Sequence, residues 1–279
     1  MAVSVMDVKN AAQACGVEQG DILLVHSSFK SLGPVDGGAE TVISGLLEAV
    51  GEEGTLVLPT FCQKNFESAY ETWHLDKESD VGYLTNYFRK REGSLRSDQA
   101  THSVAACGKK AAWLTKTHGH THKRFGNMGD TPFSADSPWE KMYQENAKIL
   151  LLGVSAMSLT FRHYAEYVYI EECLKKLEGH PEYASMKAQL HCYERYMKLE
   201  PWPHVCNAWV YPELEKQGLT RSARCGSATF LCVEAKPFVD FVLQQLKNKE
   251  DQVLWRVENG WDTDAWIAWR DRYEEIVHG

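Results

Sequence analysis

The chain has 279 residues, of which 44% are hydrophobic, and its formal net charge at pH 7 is −8. This length can bury the core of one large domain or two small ones, and no apolar run reaches the roughly 18 residues of a membrane-spanning helix. The acidic balance argues against a nucleic-acid partner and suits a cationic ligand, although solubility explains the same charge.

The N-terminus and the cysteines bear on the cellular compartment. The first 16 residues carry Asp7 and Lys9 and do not resemble a signal peptide, so we expect a cytoplasmic protein that does not contact a membrane. The eight cysteines are scattered singly, with no CxxC pair, which favours reduced thiols over a disulfide framework.

Short apolar and amphipathic segments alternate through the first half of the chain. In chain order, the patterns predict a helix over 6–15, a strand over 21–26, a helix over 39–50, a strand over 54–61, a helix over 81–91, a short strand or buried turn over 103–107 and a helix over 109–117. Residues 118–137 are rich in Gly, His, Asp, Ser and Pro, which is typical of a long loop.

The second half continues the alternation. It begins with the strongest strand pattern, over 149–154, and a helix over 160–177; two strands around Gly226 follow within 219–233, with helices over 237–246 and 263–277. Residues 179–212 give no clear pattern. Four tryptophans are expected to pack the C-terminal helix, namely Trp255, Trp261, Trp266 and Trp269. Alternating strands and helices predict an α/β fold with mixed α+β layers.

The segment HSS, from His26 to Ser28, ends the first predicted strand. Two adjacent hydroxyls and a glycine-containing loop before a helix suit the binding of a phosphate or an amide-rich chain. The segment matches no P-loop or GxGxxG pattern. From composition alone, an ordinary polar strand-to-helix loop is an equal alternative.

The segment TFRHYAE, residues 160–166, follows the strongest predicted strand. His163 and Glu166 are three apart, so they share a face of the predicted helix. A carboxylate beside an imidazole can orient it and hold its proton, which makes His163 a candidate general base. Thr160 is placed to cap the helix. The alternative is a surface ion pair near a helix start.

The segment THGHTH contains three alternating histidines, His118, His120 and His122. On an extended segment they would share one face and could bind a metal, as in a metal-dependent hydrolase. No cysteine or acidic residue stands at a recognisable ligand spacing. We therefore favour a solvated loop and expect no metal. The chain also lacks a GxSxG nucleophile motif.

Taken together, these segments resemble the aminoglycoside 3-N-acetyltransferases. The resemblance runs in order through GDILLVHSSFKSLG (20–33), VDGGAETVI (35–43), GTLVLPTF (54–61), RS…THSVAACG (96–108), SPWEKM (137–142), ILLLGV (149–154), TFRHYAE (160–166) and RSARCGSATFLCVEAKPFVDFV (221–242). No single segment is specific, whereas their order and spacing are.

The resemblance implies one acetyltransferase domain over residues 1–279, with a central mixed sheet flanked by helices. It implies acetyl-CoA as the donor and an amine of an aminoglycoside or a related amino-sugar-like molecule as the acceptor, with direct transfer in a ternary complex. By carry-over, the residues against the CoA are His26, Ser27, Ser28 and Phe29, with Ser103 near the same site. The catalytic residues implied are His163 as the base, Glu166 beside it and Thr160.

Two departures from the family pattern concern the acceptor side. Where relatives often read RSxHP, this chain reads RSDQA, with Gln99 and Ala100 in place of His-Pro. Where relatives often carry Asp shortly before the TxxH motif, this chain has Met157. The alternatives left open are a diverged CoA-binding module and an acyltransferase acting on a different small amine. The oligomeric state also stays open, with a homodimer as one option.

Overall fold

The computed structural model describes residues 2–64, 68–190, 201–248 and 263–279. Within these ranges the strands are β1 (Ile22–Ser27), β2 (Thr55–Pro59), β3 (Leu95–Arg96), β4 (Val104–Gly108), β5 (Lys148–Leu152), β6 (Thr220–Cys225) and β7 (Ala228–Glu234). They form one sheet in the order β3-β4-β2-β1-β5-β7-β6. The three central strands are parallel, and the outer ones are antiparallel to their neighbours. The predicted α/β fold with a central mixed sheet is confirmed.

The helices of the described ranges surround this sheet. They are α1 (Val5–Ala14), α2 (Ala39–Val50), α3 (Tyr83–Phe88), α4 (Ala111–Thr115), α5 (Pro138–Gln144), α6 (Phe161–Leu177), α7 (Tyr183–Leu190), α8 (Asn207–Lys216), α9 (Ala235–Lys247) and α10 (Thr263–His278). The prediction over 39–50 matches α2 at both ends. Helix α5 was not predicted, although Ser137 caps it and Pro138 begins it.

The central strand β1 divides its side chains between two cores on opposite faces of the sheet. Leu23 and Val25 pack with α1, α2 and α3, in what we call the α2-side core. Ile22 and Leu24 pack with α4, α5, α6 and α9, in the α6-side core. Successive side chains of a strand point to opposite faces of the sheet. The position of a residue along β1 therefore determines which of the two cores its side chain faces.

The carboxyl ends of β1, β2 and β5 meet at one edge of the sheet, since these strands are parallel. Strand β4 runs the opposite way and therefore begins at that edge. The HSS segment, residues 60–64, the loop before β4 and the start of α6 all converge there. The carboxyl edge of a parallel sheet is a common place for a ligand site.

A close approach of backbone segments fixes the loop after HSS. Gly153, just after β5, has a φ of 61°, and a Cβ there would lie 1.7 Å from the Ser31 hydroxyl oxygen. Gly226, in the β6–β7 turn, has a φ of 56°, and a Cβ there would lie 2.3 Å from the Leu32 carbonyl oxygen. Larger residues would push this loop away from the sheet edge.

The C-terminal helix packs through its aromatic residues, as predicted. Trp266 and Trp269 are buried and stack with ring centroids 5.4 Å apart. The Trp269 indole also donates to the Met186 carbonyl at 2.9 Å. Trp255 and Trp261 lie outside the described residues. None of the described helices is both long and apolar enough to cross a membrane.

Candidate active site

The first turn of α6 presents an imidazole bonded to a buried carboxylate. His163 Nδ1 lies 2.9 Å from Glu166 Oε2; the His163 side chain is 22% exposed and that of Glu166 only 1%. An ionised carboxylate only accepts hydrogen bonds, so Nδ1 carries the proton and Nε2 keeps a lone pair. The pair predicted from the i, i+3 spacing is therefore formed, with its carboxylate in the interior rather than on the surface.

Glu166 is held by a segment distant in sequence. The Trp202 indole donates to Oε2 at 3.1 Å, and the Val205 N–H donates to Oε1 at 2.8 Å. Burial would raise the pKa of Glu166, but the electrostatic interaction with His163, its hydrogen bond and the nearby His204 and Arg162 outweigh burial, and the pKa is lowered. The carboxylate is thus charged and fixed at both oxygens. The sequence offered no signal for Trp202 or Val205, which lie where no element was predicted.

The other nitrogen of His163 meets a neighbouring cation. Arg162 Nε donates to His163 Nε2 at 3.3 Å, and Arg162 Nη1 donates to the Val205 carbonyl at 3.3 Å. Adjacent helical residues do not normally share a face. The contact was therefore not predicted.

A second imidazole and two aromatic rings lie behind His163. The His102 ring centroid is 6.2 Å from that of His163, 5.0 Å from Phe61 and 4.8 Å from Phe133. Burial, with smaller effects from His163 and His118, lowers the pKa of His102 well below its ordinary value. The back wall of the site is thus aromatic and carries no charge on His102. His102 stood in the family-like segment THSVAACG, but no role was predicted for it.

Thr160 occupies the residue before α6, but it does not cap the helix with its side chain. Its φ and ψ are helical, and no cap hydrogen bond from its hydroxyl forms. The capping prediction is wrong, because an N-cap residue needs an extended conformation to aim its oxygen at the first turn. The Thr160 hydroxyl is therefore not used as a helix cap.

The HSS segment places its side chains on opposite faces of the sheet. His26 has the parity of Leu24 and faces the α6-side core, whereas Ser27 faces the α2 side. His26 is buried, burial lowers its pKa to about 4, and its Nε2 has no hydrogen-bond partner among the described residues. A neutral, unpaired imidazole nitrogen at this edge is a candidate ligand contact.

The loop after β1 leaves polar groups unbonded. The Ser28 N–H donates to the Leu152 carbonyl at 2.9 Å, and the Ser31 hydroxyl donates to the Ser28 carbonyl at 2.6 Å. Within the described ranges, the hydroxyls of Ser27 and Ser28 bond to no other residue, and both residues are half-buried. The Phe29 ring packs edge-on against Tyr83, with centroids 5.2 Å apart.

Ser103 lies deeper than the HSS segment. It is fully buried, and its hydroxyl donates to the Thr60 carbonyl at 3.0 Å and lies 2.9 Å from the Thr60 hydroxyl. The Arg96 guanidinium donates to the same carbonyl at 2.6 Å. In this position Ser103 ties the start of β4 to the end of β2; its contact with CoA stays a prediction.

The positions that depart from the family pattern have different surroundings. Gln99 is buried, donates to the Tyr70 hydroxyl at 2.9 Å and accepts from the His102 backbone N–H. Ala100 is buried beside it, while Met157 is 38% exposed in a short 3₁₀ turn before α6. Gln99 therefore supports the loop that carries His102.

The histidines of THGHTH are separated by the fold. His118 is buried between the Ser97 hydroxyl and the Pro132 carbonyl, each 2.9 Å from a ring nitrogen. His120 and His122 are exposed. The three histidines therefore do not share one face. The prediction of a solvated loop is wrong for His118. Among the described residues, no three His, Cys, Asp or Glu side chains cluster as a metal site would require.

Comparisons with known proteins identify relatives. A family model described as aminoglycoside 3-N-acetyltransferase matches residues 24–247. An aminoglycoside N(3)-acetyltransferase III of Salmonella is 33% identical over 178 residues, which span 58% of this chain and 59% of the relative. A second Salmonella protein of that name is 28% identical over 249 residues, which cover 78% of this chain and 84% of the relative.

Solved structures share the fold. A binary complex of AAC-IIIb with CoASH superposes with a TM-score of 0.66 at 20% identity, covering 89% of this chain and 98% of the other. A mutant of the aminoglycoside acetyltransferase AAC(3)-IVa in complex with apramycin gives a TM-score of 0.66 at 20% identity, covering 90% and 95%. The family model extends over well more than half of the chain, and the chain belongs to the aminoglycoside 3-N-acetyltransferase family.

Proposed function

We propose that the protein transfers an acetyl group from acetyl-CoA to an amine of an aminoglycoside or a related amino-sugar-like molecule, with His163 as general base. One observation carries the proposal. His163 Nδ1 is bonded at 2.9 Å to the buried, charged Glu166, so its Nε2 lone pair is directed away from that carboxylate. This is the arrangement that a base for an acyl acceptor requires.

The chemistry assigns one task to each group. The amine nitrogen attacks the thioester carbonyl, and His163 Nε2 takes the proton that the nitrogen must lose. The C–S bond then breaks, and the proton passes to the departing thiolate. Glu166 stabilises the imidazolium that forms in between. A positioned base of this kind contributes about 10²–10⁴-fold to the rate.

Negative charge develops on the carbonyl oxygen during the attack. Thr160 precedes α6, three residues before His163, and its hydroxyl makes no capping bond. It is therefore a candidate donor to that oxygen, together with the hydroxyls of the HSS loop. One well-placed donor contributes roughly 3 kcal/mol to the transition state.

The donor is assigned to the HSS side of the sheet edge. The hydroxyls of Ser27 and Ser28 and the Nε2 of His26 bond to none of the described residues and suit the amides and carbonyls of the CoA arm. Phe29 offers an apolar surface, and Ser103 holds the neighbouring strand end. The complex of AAC-IIIb with CoASH supports CoA as the carrier.

The names of the relatives and the net charge of the chain support the proposed acceptor. Both Salmonella relatives are named aminoglycoside N(3)-acetyltransferases, and the AAC(3)-IVa structure contains apramycin. The net charge of −8 favours the approach of a cationic amine.

Amine-dependent release of the CoA thiol tests the proposal. Purified protein is incubated with acetyl-CoA and a panel of aminoglycosides and amino sugars, and free thiol is measured. We expect release with at least one amine, its loss in His163→Ala, and full retention in the control His278→Ala at the end of α10. CoA binding without thiol release for any amine would contradict the proposal and favour a CoA-binding module.

A further inference from the structure

Arg162 is a cation at the position where the base must work, and it forms no ion pair with the described residues. Its guanidinium has five N–H donors, yet among the described residues it donates only to His163 Nε2 and the Val205 carbonyl. Within the described part of the chain, no carboxylate lies within 4.0 Å of it, and Glu166, whose pKa the charge of Arg162 helps to lower, is beyond ion-pair distance. The side chain is half-buried, so water satisfies its remaining donors only in part.

The Arg162 contact competes with catalysis. An acceptor amine must donate its proton to His163 Nε2, and Arg162 Nε already donates to that same lone pair at 3.3 Å. The amine can reach the base only when the guanidinium moves aside. A polycationic acceptor would meet repulsion from Arg162 at this point.

Among the residues that the structure describes, no carboxylate is placed to draw the guanidinium away from the imidazole. Glu166 is the buried carboxylate nearest the base, and its two oxygens already accept from His163, Trp202 and Val205. An anion on the acceptor would supply the missing partner. Guanidinium binds carboxylate and phosphate through two parallel hydrogen bonds, which are stronger than its bond to a neutral imidazole.

We propose that Arg162 determines acceptor specificity by binding a carboxylate or phosphate that lies beside the reacting amine. Binding of that anion removes Arg162 Nε–H from His163 Nε2 and frees the lone pair for the amine proton. The inference rests on the proposed role of His163. It deepens that role by directing the acceptor toward acid-bearing amino sugars and away from polycationic aminoglycosides.

The net acidity of the chain does not oppose this assignment. The charge of −8 describes the whole surface and concerns long-range approach, which salt screens beyond about 10 Å. Arg162 acts at contact distance on the group that must receive the proton. The local cation therefore decides which acceptor reaches the base.

Acetyl transfer to matched acceptors tests the proposal. With acetyl-CoA saturating, kcat/KM is measured for glucosamine, glucosamine 6-phosphate, muramic acid and apramycin. The phosphate and carboxylate arms separate the two anions. For the wild type we expect at least one acid-bearing amine to exceed glucosamine about tenfold to a hundredfold, the effect of one charge-assisted hydrogen bond.

Variants of the cation sharpen the result. Arg162→Gln should abolish the preference for the acid-bearing amine and raise turnover of apramycin, while Arg162→Lys restores part of the preference. The control Arg221→Gln makes the same charge change at the start of β6, at the opposite edge of the sheet, and should leave every ratio unchanged.

The outcomes separate this inference from the proposed function. Turnover with the same acceptor ratios in the wild type and in Arg162→Gln would overturn the role of Arg162 and leave His163 as the base. If no amine is acetylated, the proposed function fails, and calorimetry with glucosamine 6-phosphate and with muramic acid decides the anion site. Equal affinities of the wild type and of Arg162→Gln for these two ligands would overturn the anion site at Arg162.

Discussion

Two regions at the same edge of the sheet are held in different ways. The base region, His163 with Glu166, is fixed by donors from residues 36 and 39 positions further along the chain. The HSS loop is instead fixed through backbone groups, by the bond from the Ser28 N–H to Leu152 and the bond from the Ser227 N–H to Leu32, and its two serine hydroxyls bond to none of the described residues. A group that must be in one place for chemistry is locked by the protein, whereas groups that bind a substrate keep their donors free for it.

The largest loss of stability is expected when Glu166 is removed from the base region. Glu166→Ala leaves the His163, Trp202 and Val205 donors without their buried acceptor. We expect the free energy of unfolding to fall by about 3–5 kcal/mol in denaturant titrations. The control Glu172→Ala, on the same helix, removes a partly exposed pair with Lys247 and should cost at most about 1 kcal/mol. Equal losses in the two variants would contradict the locked carboxylate.

Acid should destabilise the base region through the buried His118. The HSS loop should not respond in the same way, because serine hydroxyls do not titrate in this pH range. Burial lowers the pKa of His118 from 6.5 to about 4. The unfolded chain therefore takes up a proton that the folded one does not. This stability is complete above pH 6.5 and is lost as the pH falls toward 4, by about 3 kcal/mol in all.

The variant that tests this acid effect is His118→Gln, which removes the titrating group. Chemical denaturation at pH 7, 6, 5 and 4 should show a shallower decline for the variant than for the wild type. Parallel declines would show that His118 does not contribute to the acid sensitivity.

A substitution of Trp202 distinguishes a role in positioning Glu166 from a role in packing. Trp202→Phe keeps an aromatic ring but removes the indole N–H that bonds Glu166. We expect kcat to fall about tenfold, because one hydrogen bond that orients the base is lost, while the KM for acetyl-CoA stays unchanged. The control Trp113→Phe concerns an exposed indole and should leave kcat unchanged. An unchanged kcat in Trp202→Phe would assign Trp202 a packing role alone.

The smallest effects are expected in the HSS loop. Ser27→Ala and Ser28→Ala remove hydroxyls that nothing in the described chain uses, so the melting temperature should not change. Each should raise the KM for acetyl-CoA about threefold to tenfold. Ser31→Ala, whose hydroxyl bonds the Ser28 carbonyl, should instead lower stability. If Ser27→Ala and Ser28→Ala lowered stability and left the KM unchanged, the two hydroxyls would be structural groups rather than substrate-binding ones.

Local patterns predicted the fold and part of the site. Helix α2 was predicted at both ends because glycines bracket an amphipathic run, and the His163–Glu166 contact followed from helical spacing. The paired strands around Gly226 also formed as predicted. These features depend on neighbours within a few positions, which is what periodicity reports.

Features that depend on tertiary contact were missed. Trp202 and Val205 reach Glu166 from a segment without a pattern of its own, and a bond between Arg162 and His163 is unexpected for adjacent helical residues. His118 was assigned to solvent because the loop around it is polar. Its burial depends on Ser97 and Pro132, which no local signal connects to it.

The most direct test of the account is acetyl transfer by His163→Gln, which keeps a polar side chain of similar reach but removes the base. With the acceptor that works best for the wild type, kcat should fall by about 10²–10⁴-fold. The affinity for CoA and the melting temperature should not change. Turnover equal to that of the wild type in this variant would contradict the assignment of His163 as the general base.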